Sequence, residues 1–318
     1  MKSILLGDIG GTTARFALLN GDTLGPIEHI RVADHASVKD AIARFLASDP
    51  GRPNPTAAIL AIAGPIEAQR CTITNSHWIV DGNALRAEFG LAALKLVNDF
   101  EATAWALPSL ESDDVSFLGG GQAIAGEPMV VIGPGTGLGM AAFVFNEGLA
   151  AVIATEGGHA TLPSTSRRED EIISQLRERF GHVSAERVLS GPGLENLYQA
   201  VAIIEHAVVP ARTAAEITQQ ALNGSCKICR AAMDVFCAML GTVAGNLALM
   251  FRARGGVYMA GGIAPRLVGY LAQSDFRERF LSKGRFRTYL EGVPTSVIIH
   301  EDPAFLGLRS LSRRLANR

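Results

Sequence analysis

The chain has 318 residues, of which 48% are hydrophobic and 19% are charged, and its formal net charge is −2. This length is sufficient for two domains with separate cores, and the near-neutral balance argues against a protein that binds nucleic acid or a membrane surface. Only three apolar residues stand between Lys2 and Gly7. Because that run is too short for a signal peptide, we expect a cytoplasmic protein.

The first third of the chain predicts strands that alternate with helices. Ser37 and Asp40 have the spacing of a capping pair and open a helix whose apolar residues recur at helical spacing. Such alternation favours a largely parallel sheet with right-handed crossovers. The predicted strands lie near residues 3–6, 14–19, 27–32, 57–62 and 94–97.

Past Pro108 the same pattern restarts and then becomes strongly helical. An uncharged run from Pro128 to Phe145 is about long enough to cross a bilayer, but glycine and proline fill its middle. A β-hairpin is therefore the better interpretation of that run. The predicted strands lie near residues 129–132, 139–145, 150–154, 257–260 and 297–300. The predicted helices span residues 168–180, 184–189, 193–205, 214–222, 225–251 and 305–315.

Two of the four cysteines have the spacing of half a zinc site. Cys226 and Cys229 are separated by two residues, but no second cysteine pair and no histidine pair stands near them in the sequence. We interpret them as structural residues of a helix that opens after Asn223-Gly224-Ser225 and has an apolar face.

Two glycine-rich loops each lie between two short apolar runs. They are Gly7-Asp8-Ile9-Gly10-Gly11-Thr12-Thr13 and Gly133-Pro134-Gly135-Thr136-Gly137-Leu138-Gly139. Glycines allow the backbone N–H groups to approach a phosphate, and threonine hydroxyls add donors. The second loop lacks the third glycine of a dinucleotide fingerprint, and the chain has no Gly-Lys dipeptide for a Walker A loop. The two loops predict related half-folds that hold one polyphosphate.

Two aspartates accompany these loops. Asp8 is the only acid in the first loop, where a carboxylate would repel phosphate unless a cation lay between them. Asp8 could therefore hold Mg²⁺, directly or through water. Alternatively, its side chain could cap the turn by a hydrogen bond to its own backbone. Asp99 follows Asn98 between a buried strand and a predicted helix over residues 100–107. It is either an N-cap or the carboxylate that accepts a hydroxyl proton during phosphoryl transfer.

Three further polar residues could bind a hydroxylated substrate. Glu156-Gly157-Gly158-His159 has the spacing of a helical metal site, but two adjacent glycines argue against a helix. A turn would instead place Glu156 and His159 side by side at the surface. Glu186, taken alone, is an acid on a helix face with a structural role.

Taken together, these segments resemble the proteobacterial type of bacterial glucokinase, within the hexokinase, actin and sugar kinase superfamily. The resemblance covers essentially the whole chain. One departure is Thr13, where the family usually has asparagine. Six segments match in family order, namely Gly7 to Arg15, Asn98 to Phe100, Gly133 to Gly139, Glu156 to His159, Ser184 to Leu194 and Val257 to Arg266.

The resemblance implies an α/β protein with the two-domain actin-like ATPase (ribonuclease H-like) fold and an interdomain cleft. A small domain would comprise residues 1–108, completed by 300–318, and a large domain residues 109–299. The implied reaction is ATP-dependent phosphorylation of glucose at its 6-hydroxyl, which supplies glucose 6-phosphate to glycolysis, with Mg²⁺. A cytoplasmic homodimer without a nucleic-acid or membrane partner is expected.

The resemblance also assigns roles to individual residues. Asp99 would be the catalytic base, and Asp8 would hold Mg²⁺, through water. Glucose would be bound by Asn98, Asp99, Glu156, His159 and Glu186. ATP would be bound by Gly7, Asp8, Ile9, Gly10, Gly11, Thr12, Gly135, Thr136, Gly137, Gly261 and Gly262.

Two alternatives stay open at this level. One is a kinase for another hexose, such as mannose or an N-acetyl sugar. The other is a non-catalytic sugar sensor or repressor, which would need a DNA-binding extension, whereas this chain begins at its first predicted strand. The related repressor-like sugar kinases add a cysteine-rich zinc motif after Glu-Gly-Gly-His, and no cysteine lies between Cys71 and Cys226 here.

Overall fold

A computed structural model of the chain describes residues 3–73, 76–146 and 149–316. The strands are β1 (Ser3–Ile9), β2 (Thr13–Asn20), β3 (Thr23–Leu24), β4 (Glu28–Arg31), β5 (Ala57–Ile62), β6 (Arg70–Thr72), β7 (Ile79–Asp81), β8 (Ala93–Asn98), β9 (Val115–Gly119), β10 (Met129–Pro134), β11 (Leu138–Asn146), β12 (Leu149–Thr155), β13 (Gly256–Met259) and β14 (Thr295–Ile298). The helices are α1 (Val38–Ala47), α2 (Gly82–Glu88), α3 (Asp99–Ala106), α4 (Arg167–Phe180), α5 (Gly191–Ile204), α6 (Ala214–Leu222), α7 (Lys227–Met250), α8 (Val268–Gln273), α9 (Phe276–Leu281), α10 (Arg287–Glu291) and α11 (Pro303–Ala316).

The chain divides into two compact units. Unit 1 comprises Met1–Leu110 and Glu301–Arg318, and unit 2 comprises Glu111–His300. Each unit has its own hydrophobic core around its own sheet.

The sheet of unit 1 has the strand order β3-β2-β1-β5-β8, and β4 also pairs with β2. Strands β1 and β2 form an antiparallel hairpin, while β1, β5 and β8 are parallel. In register, Ile9 pairs with Ile62 and Ile62 pairs with Asn98. The first glycine loop and the Asn98-Asp99 pair therefore lie at the same edge of this sheet, where the parallel strands end.

The helix predicted to open at Ser37 is confirmed. The Ser37 side chain accepts a hydrogen bond from the N–H of Asp40 at 3.2 Å and so caps α1. Helix α1 buries its apolar residues in the core of unit 1, where Phe45 lies beside Phe16 with ring centroids 5.7 Å apart. Helix α11 approaches α3 so closely that a side chain at Gly307 would overlap the carbonyl group of Ala102.

A tight turn in unit 1 holds two consecutive non-glycine residues in the left-handed region. Ala68 has φ 48° and Gln69 has φ 62°. The turn is closed by two hydrogen bonds between Glu67 and Arg70, of 2.9 and 2.8 Å. It directs the Gln69 side-chain oxygen to the N–H of Leu96 in β8, at 3.0 Å.

The sheet of unit 2 has the strand order β12-β11-β10-β13-β14-β9. Strands β10, β11 and β12 are antiparallel neighbours, and β10, β13 and β14 are parallel. The hairpin predicted for the uncharged run from Pro128 to Phe145 is confirmed, since β10 and β11 pair around the second glycine loop.

Helix α7 is the central helix of unit 2. Its length and composition alone would suffice for a membrane span, yet most of it is buried inside this unit, as in the core helix of a globular domain. Gly241 and Gly245 lie where a side chain would collide with the backbone of α9. The two glycines therefore allow α9 to pack directly on α7.

The helix predicted over residues 184–189 is wrong. These residues form short turns, in which the N–H groups of Val188 and Leu189 both donate to the Ala185 carbonyl, at 3.1 and 2.8 Å. The turns end at once because Ser190 is extended and caps α5. The N–H groups of Ala185 and Glu186 donate to the carbonyl groups of Ala160 and Gly158, at 2.9 and 2.8 Å, and fix the position of the segment. The elements β3, β6, β7, β9, α2, α8, α9 and α10 were not predicted.

Candidate active site

The first glycine loop joins β1 to β2 in unit 1. Gly10 N–H donates to the carbonyl of Thr13 at 3.1 Å and closes the turn. Among the described residues, no acceptor is found for the N–H groups of Gly11 and Thr12, and Thr12 is exposed. At the base of the loop Ile9 is buried, and a Cβ on Gly7 would lie 2.7 Å from the Leu60 side chain. The loop thus presents backbone donors above a packed strand.

Asp8 is paired with Arg15, its cross-strand neighbour in the β1–β2 hairpin. Arg15 Nη1 donates to Asp8 Oδ2 at 2.7 Å, and Arg15 Nε lies 3.2 Å from Asp302 Oδ1. Burial raises the pKa of Asp8, and the positive charge of Arg15 acts in the opposite direction. Arg15 and Asp302 were missed by sequence reasoning. The register of a tight hairpin could have identified Arg15, because the residues that pair across it are fixed by the turn.

Asn98 and Asp99 lie at the junction of β8 and α3. Asn98 is the N-cap: its Oδ1 accepts hydrogen bonds from the N–H groups of Phe100 and Glu101, at 2.9 and 3.3 Å. Asp99 is the first helical residue, and its Oδ1 lies 2.9 Å from the N–H of Phe100. The helix N-terminus and the end of a parallel strand thus fix the position of the Asp99 carboxylate.

The second glycine loop is the turn of the β10–β11 hairpin in unit 2. Gly135 N–H donates to the Gly137 carbonyl at 2.8 Å, and Gly191 N–H, at the start of α5, donates to the Gly135 carbonyl at 2.8 Å. Within the described residues, the N–H groups of Thr136 and Gly137 have no acceptor. This loop, like the first, can offer backbone donors to an anion.

Glu156, His159 and Glu186 come together beside the second loop. A short 3-10 turn at Gly157–His159 places His159 Nε2 4.0 Å from Glu156 Oε2, as the sequence predicted. On its other side, His159 Nδ1 lies 3.9 Å from Glu186 Oε1. Glu156 and His159 are largely exposed and Glu186 is partly exposed. The three side chains can offer both carboxylate acceptors and an imidazole donor to hydroxyl groups.

Gly261 and Gly262 follow β13 and reach the same loop. Gly261 has φ +79°, and a Cβ there would lie 2.6 Å from the Pro134 carbonyl oxygen. Ile263 N–H donates to that oxygen at 3.3 Å. Only glycine permits this approach, which places the predicted ATP-binding residues Gly261 and Gly262 against the second glycine loop.

The described residues contain no group of three or more histidine, cysteine, aspartate or glutamate side chains that could hold a metal ion. Cys226 is the N-cap of α7 and Cys229 is buried beneath it, which agrees with a structural role in a helix. A divalent cation at the first loop would have one protein carboxylate, Asp8, and would need phosphate oxygens and water to complete its coordination.

Comparisons with known proteins agree with one another. A family model described as glucokinase matches residues 5–315. The glucokinase of Nitrobacter hamburgensis is 45% identical over 307 residues, covering 96% of this chain and 96% of that protein. The glucokinase of Paramagnetospirillum magneticum is 45% identical over 313 residues, covering 98% and 97%.

A solved structure shows the same fold. The crystal structure of a glucokinase from an Antarctic psychrotroph matches with a TM-score of 0.90 at 35% identity, covering 99% of both chains. The predicted fold class, the two-domain actin-like ATPase fold, is thereby confirmed. The resemblance drawn from six short segments extends over almost the whole length of the chain, and the chain belongs to the glucokinase family.

Proposed function

We propose that this protein is a glucokinase that transfers the γ-phosphoryl group of ATP to the 6-hydroxyl of glucose, which gives glucose 6-phosphate for glycolysis. The observation that carries this proposal is the match to glucokinases over nearly the whole chain, with 45% identity. Both glycine loops and the predicted catalytic and sugar-binding residues lie within the matched residues 5–315.

Asp99 is the catalytic base. The 6-hydroxyl of glucose attacks the γ-phosphorus in line, and its proton passes to the Asp99 carboxylate. The position of Asp99 supports this role, because it follows the end of a parallel strand and is the first residue of α3, where the helix N-terminus favours a carboxylate. Most of the acceleration comes from positioning and from electrostatic stabilisation of the transferred group.

The other glucose hydroxyls are bound by Asn98, Glu156, His159 and Glu186. In unit 2, His159 lies 4.0 Å from Glu156 and 3.9 Å from Glu186, so the three side chains form one polar cluster. Carboxylates accept hydrogen bonds from sugar hydroxyls, and the imidazole can donate one.

The two glycine loops bind the phosphates of ATP through backbone N–H groups. The predicted residues are Gly7, Asp8, Ile9, Gly10, Gly11 and Thr12 in the first loop and Gly135, Thr136 and Gly137 in the second. Gly7, Asp8 and Ile9 belong to strand β1, which pairs on both sides, and the N–H groups of Gly10 and Gly135 close the two turns, so these five residues would shape the loops rather than donate to phosphate. Gly261 and Gly262 lie beside the adenosine. The N–H groups of Gly11, Thr12, Thr136 and Gly137 lack acceptors among the described residues, which supports a role in anion binding.

Asp8 holds Mg²⁺, through water. The carboxylate is a hard oxygen ligand of the kind that Mg²⁺ prefers, and its Oδ2 is fixed by Arg15. The bound ion would neutralise phosphate charge and orient the γ-phosphoryl group. Arg15, held by Asp8 and Asp302, keeps the carboxylate in place.

The same proposal includes a cytoplasmic homodimer that acts on glucose and ATP without nucleic-acid or membrane partners. A coupled assay that follows glucose 6-phosphate would test the activity, with glucose, mannose, fructose and N-acetylglucosamine as sugars and with ATP and polyphosphate as donors. We expect the highest kcat/KM for glucose with ATP. Turnover of another hexose with a higher kcat/KM would reassign the substrate, and binding of glucose without turnover of any sugar would indicate a sensor.

A further inference from the structure

We infer that Glu186 positions the second glycine loop, in addition to binding glucose. This inference rests on the proposed function for the identity of the two ligands. Through it, one carboxylate would connect the sugar-binding residues of unit 2 to the loop that holds the phosphates.

The two oxygens of the Glu186 carboxylate have different neighbours. Oε2 accepts a hydrogen bond from the N–H of Leu138, the residue at which the glycine loop enters β11, at 2.9 Å. Oε1 lies 3.9 Å from His159 Nδ1, on the side of the predicted sugar-binding residues. The carboxylate can therefore hold the loop with one oxygen and a sugar hydroxyl with the other.

Gly137 is the position that admits this carboxylate. A Cβ at residue 137 would lie 2.6 Å from Glu186 Oε2, so a side chain there would displace the carboxylate from its present position. A structural reason for glycine at this position is therefore the approach of Glu186. The N–H of Gly137 is also one of the two loop donors without an acceptor among the described residues.

The segment that carries Glu186 is itself fixed to the same loop. Glu186 N–H donates to the Gly158 carbonyl at 2.8 Å, and Ser190 Oγ donates to the Glu186 carbonyl at 2.9 Å. Five residues further on, Gly191 N–H donates to the Gly135 carbonyl at 2.8 Å. The loop is thus held at Gly135 by a backbone hydrogen bond and at Leu138 by the Glu186 side chain.

Loss of the Glu186 carboxylate should therefore affect the nucleotide even when no sugar is present. Without it, the N–H of Leu138 loses its acceptor, and the N–H groups of Thr136 and Gly137 are no longer held in their phosphate-binding orientation. A residue that only binds sugar would leave nucleotide affinity unchanged in the absence of sugar. Glu156 is the matched control, because its side chain is largely exposed and pairs with His159 rather than with a residue of the second glycine loop.

The test is isothermal titration calorimetry with Mg²⁺ and a non-hydrolysable ATP analogue, without sugar, on the full chain. We expect Glu186→Ala to weaken nucleotide binding about tenfold, as for the loss of one hydrogen bond to a charged group. Glu186→Gln, whose amide oxygen can accept from Leu138, should bind the nucleotide nearly as the wild type does, but with a raised KM for glucose. Glu156→Ala should raise only the KM for glucose.

A second variant tests the same contact from the loop. Gly137→Ala should displace the Glu186 carboxylate and so raise the KM for glucose, although residue 137 belongs to the phosphate loop. In the Glu186→Ala background, Gly137→Ala should have little further effect on the KM for glucose. Thermal melting of each variant would show whether the fold is retained. If Glu186→Ala did not fold, the single variants Gly137→Ala and Glu186→Gln would test whether Glu186 positions the loop.

Unchanged nucleotide affinity in folded Glu186→Ala, or additive effects of the two substitutions, would overturn the inference. These outcomes differ from a failure of the proposed function. If the wild type phosphorylated no glucose but the nucleotide affinities followed the expected order, the positioning role would stand and the substrate assignment would fail.

Discussion

Asn98 caps the helix that Asp99 begins: the Asn98 side chain accepts hydrogen bonds from the N–H groups of Phe100 and Glu101, at 2.9 and 3.3 Å. The N-cap interpretation of Asp99 is therefore wrong, because the cap is Asn98 and Asp99 is the first helical residue. The role of Asp99 as the base stays a prediction.

Asp99→Asn should abolish turnover while the KM for glucose changes little. An amide cannot accept the hydroxyl proton, and a general base contributes typically ~10²- to 10⁴-fold in rate. Steady-state kinetics would measure both parameters. Asn98→Ala is the control for stability, because loss of the cap costs about 1 kcal/mol whereas Asp99→Asn should leave the melting temperature almost unchanged. If Asp99→Asn retained more than a tenth of the wild-type kcat, Asp99 would not be the base.

Asp8→Asn should raise the Mg²⁺ concentration needed for half-maximal activity. In the wild type, burial raises the pKa of Asp8 above its ordinary value, so protons compete with the cation at a higher pH than for an exposed aspartate. The Mg²⁺ requirement of the wild type should therefore increase as the pH falls towards that raised pKa, and this part of the pH dependence should be absent in Asp8→Asn. Activity titrations with Mg²⁺ at several pH values would show it.

A surface aspartate in the same unit provides the control. Asp22 pairs with Arg313 at 2.8 Å and is largely exposed, so Asp22→Asn should keep the wild-type Mg²⁺ dependence. If Asp8→Asn and the wild type required the same Mg²⁺ concentration at every pH, Asp8 would have only its structural role beside Arg15.

Iodoacetamide should label Cys226 before the other cysteines. Although partial burial opposes the charged form, N–H groups of α7 and the charge of Arg212 lower the pKa of Cys226. Burial raises the pKa of Cys229 and of Cys237 to about 12 in each case, with the Cys226 thiol adding to the shift of Cys229. The pKa of Cys71 is also raised by burial, with a further contribution from the nearby Asp99 charge. Thiolates react and thiols do not, so reactivity follows these pKa values.

Peptide mass spectrometry after brief labelling near neutral pH would measure this order. Cys226→Ser should remove the rapidly labelled fraction. Fast labelling of Cys237 in the folded protein would contradict the burial of α7.

Glu169→Ala should destabilise unit 2 strongly. Arg279 Nη1 lies 2.7 Å from Glu169 Oε1, and the Glu169 side chain is only 4% exposed. Its Oε2 accepts a hydrogen bond from Thr165 N–H at 2.7 Å. Removal of Glu169 leaves the mostly buried Arg279 charge without its carboxylate partner, although Arg279 keeps a hydrogen bond to the Thr242 hydroxyl at 3.0 Å. We therefore expect a loss of about 3 kcal/mol in the free energy of unfolding, the lower end of the range for a broken buried ion pair.

The matched control lies on the same helix. Arg167 and Glu171 form an ion pair of 3.8 Å, with side chains 95% and 51% exposed, so Glu171→Ala should hardly change the urea midpoint. Equal effects of the two substitutions would mean that the Glu169 pair is no more protected from water than the surface pair.

The sequence predicted those parts of the fold that depend on local patterns. The cap at Ser37, the β10–β11 hairpin and helices α4 to α7 follow from capping residues, glycine turns and apolar spacing, and each is observed. The helix predicted around Glu186 is absent for a physical reason. Its local pattern favours a helix, but Ser190 is extended and starts the next helix, and hydrogen bonds to Gly158 and Ala160, which are distant in sequence, fix the position of the segment. Helix propensity reflects only neighbouring residues and so cannot predict contacts with distant parts of the chain.

The same distinction applies to the candidate site. Glycine loops and a turn around Glu156 and His159 are local, and the structure forms them where the sequence predicted. Glu186 and Leu138, which are in contact, are 48 residues apart in the sequence. Arg15 and Asp302 are separated by nearly the whole chain. These contacts depend on packing between elements, which composition and spacing do not determine.

The turn at Ala68 and Gln69 has a consequence for solubility. Strand β8 is the last strand of the unit 1 sheet, and an edge strand with free N–H groups can pair with a strand of another molecule. The Gln69 amide oxygen occupies the N–H of Leu96 at 3.0 Å, and Lys95 adds a charge beside it. The left-handed conformation of two non-glycine residues thus leaves this edge strand with one fewer N–H group to offer to a strand of another molecule.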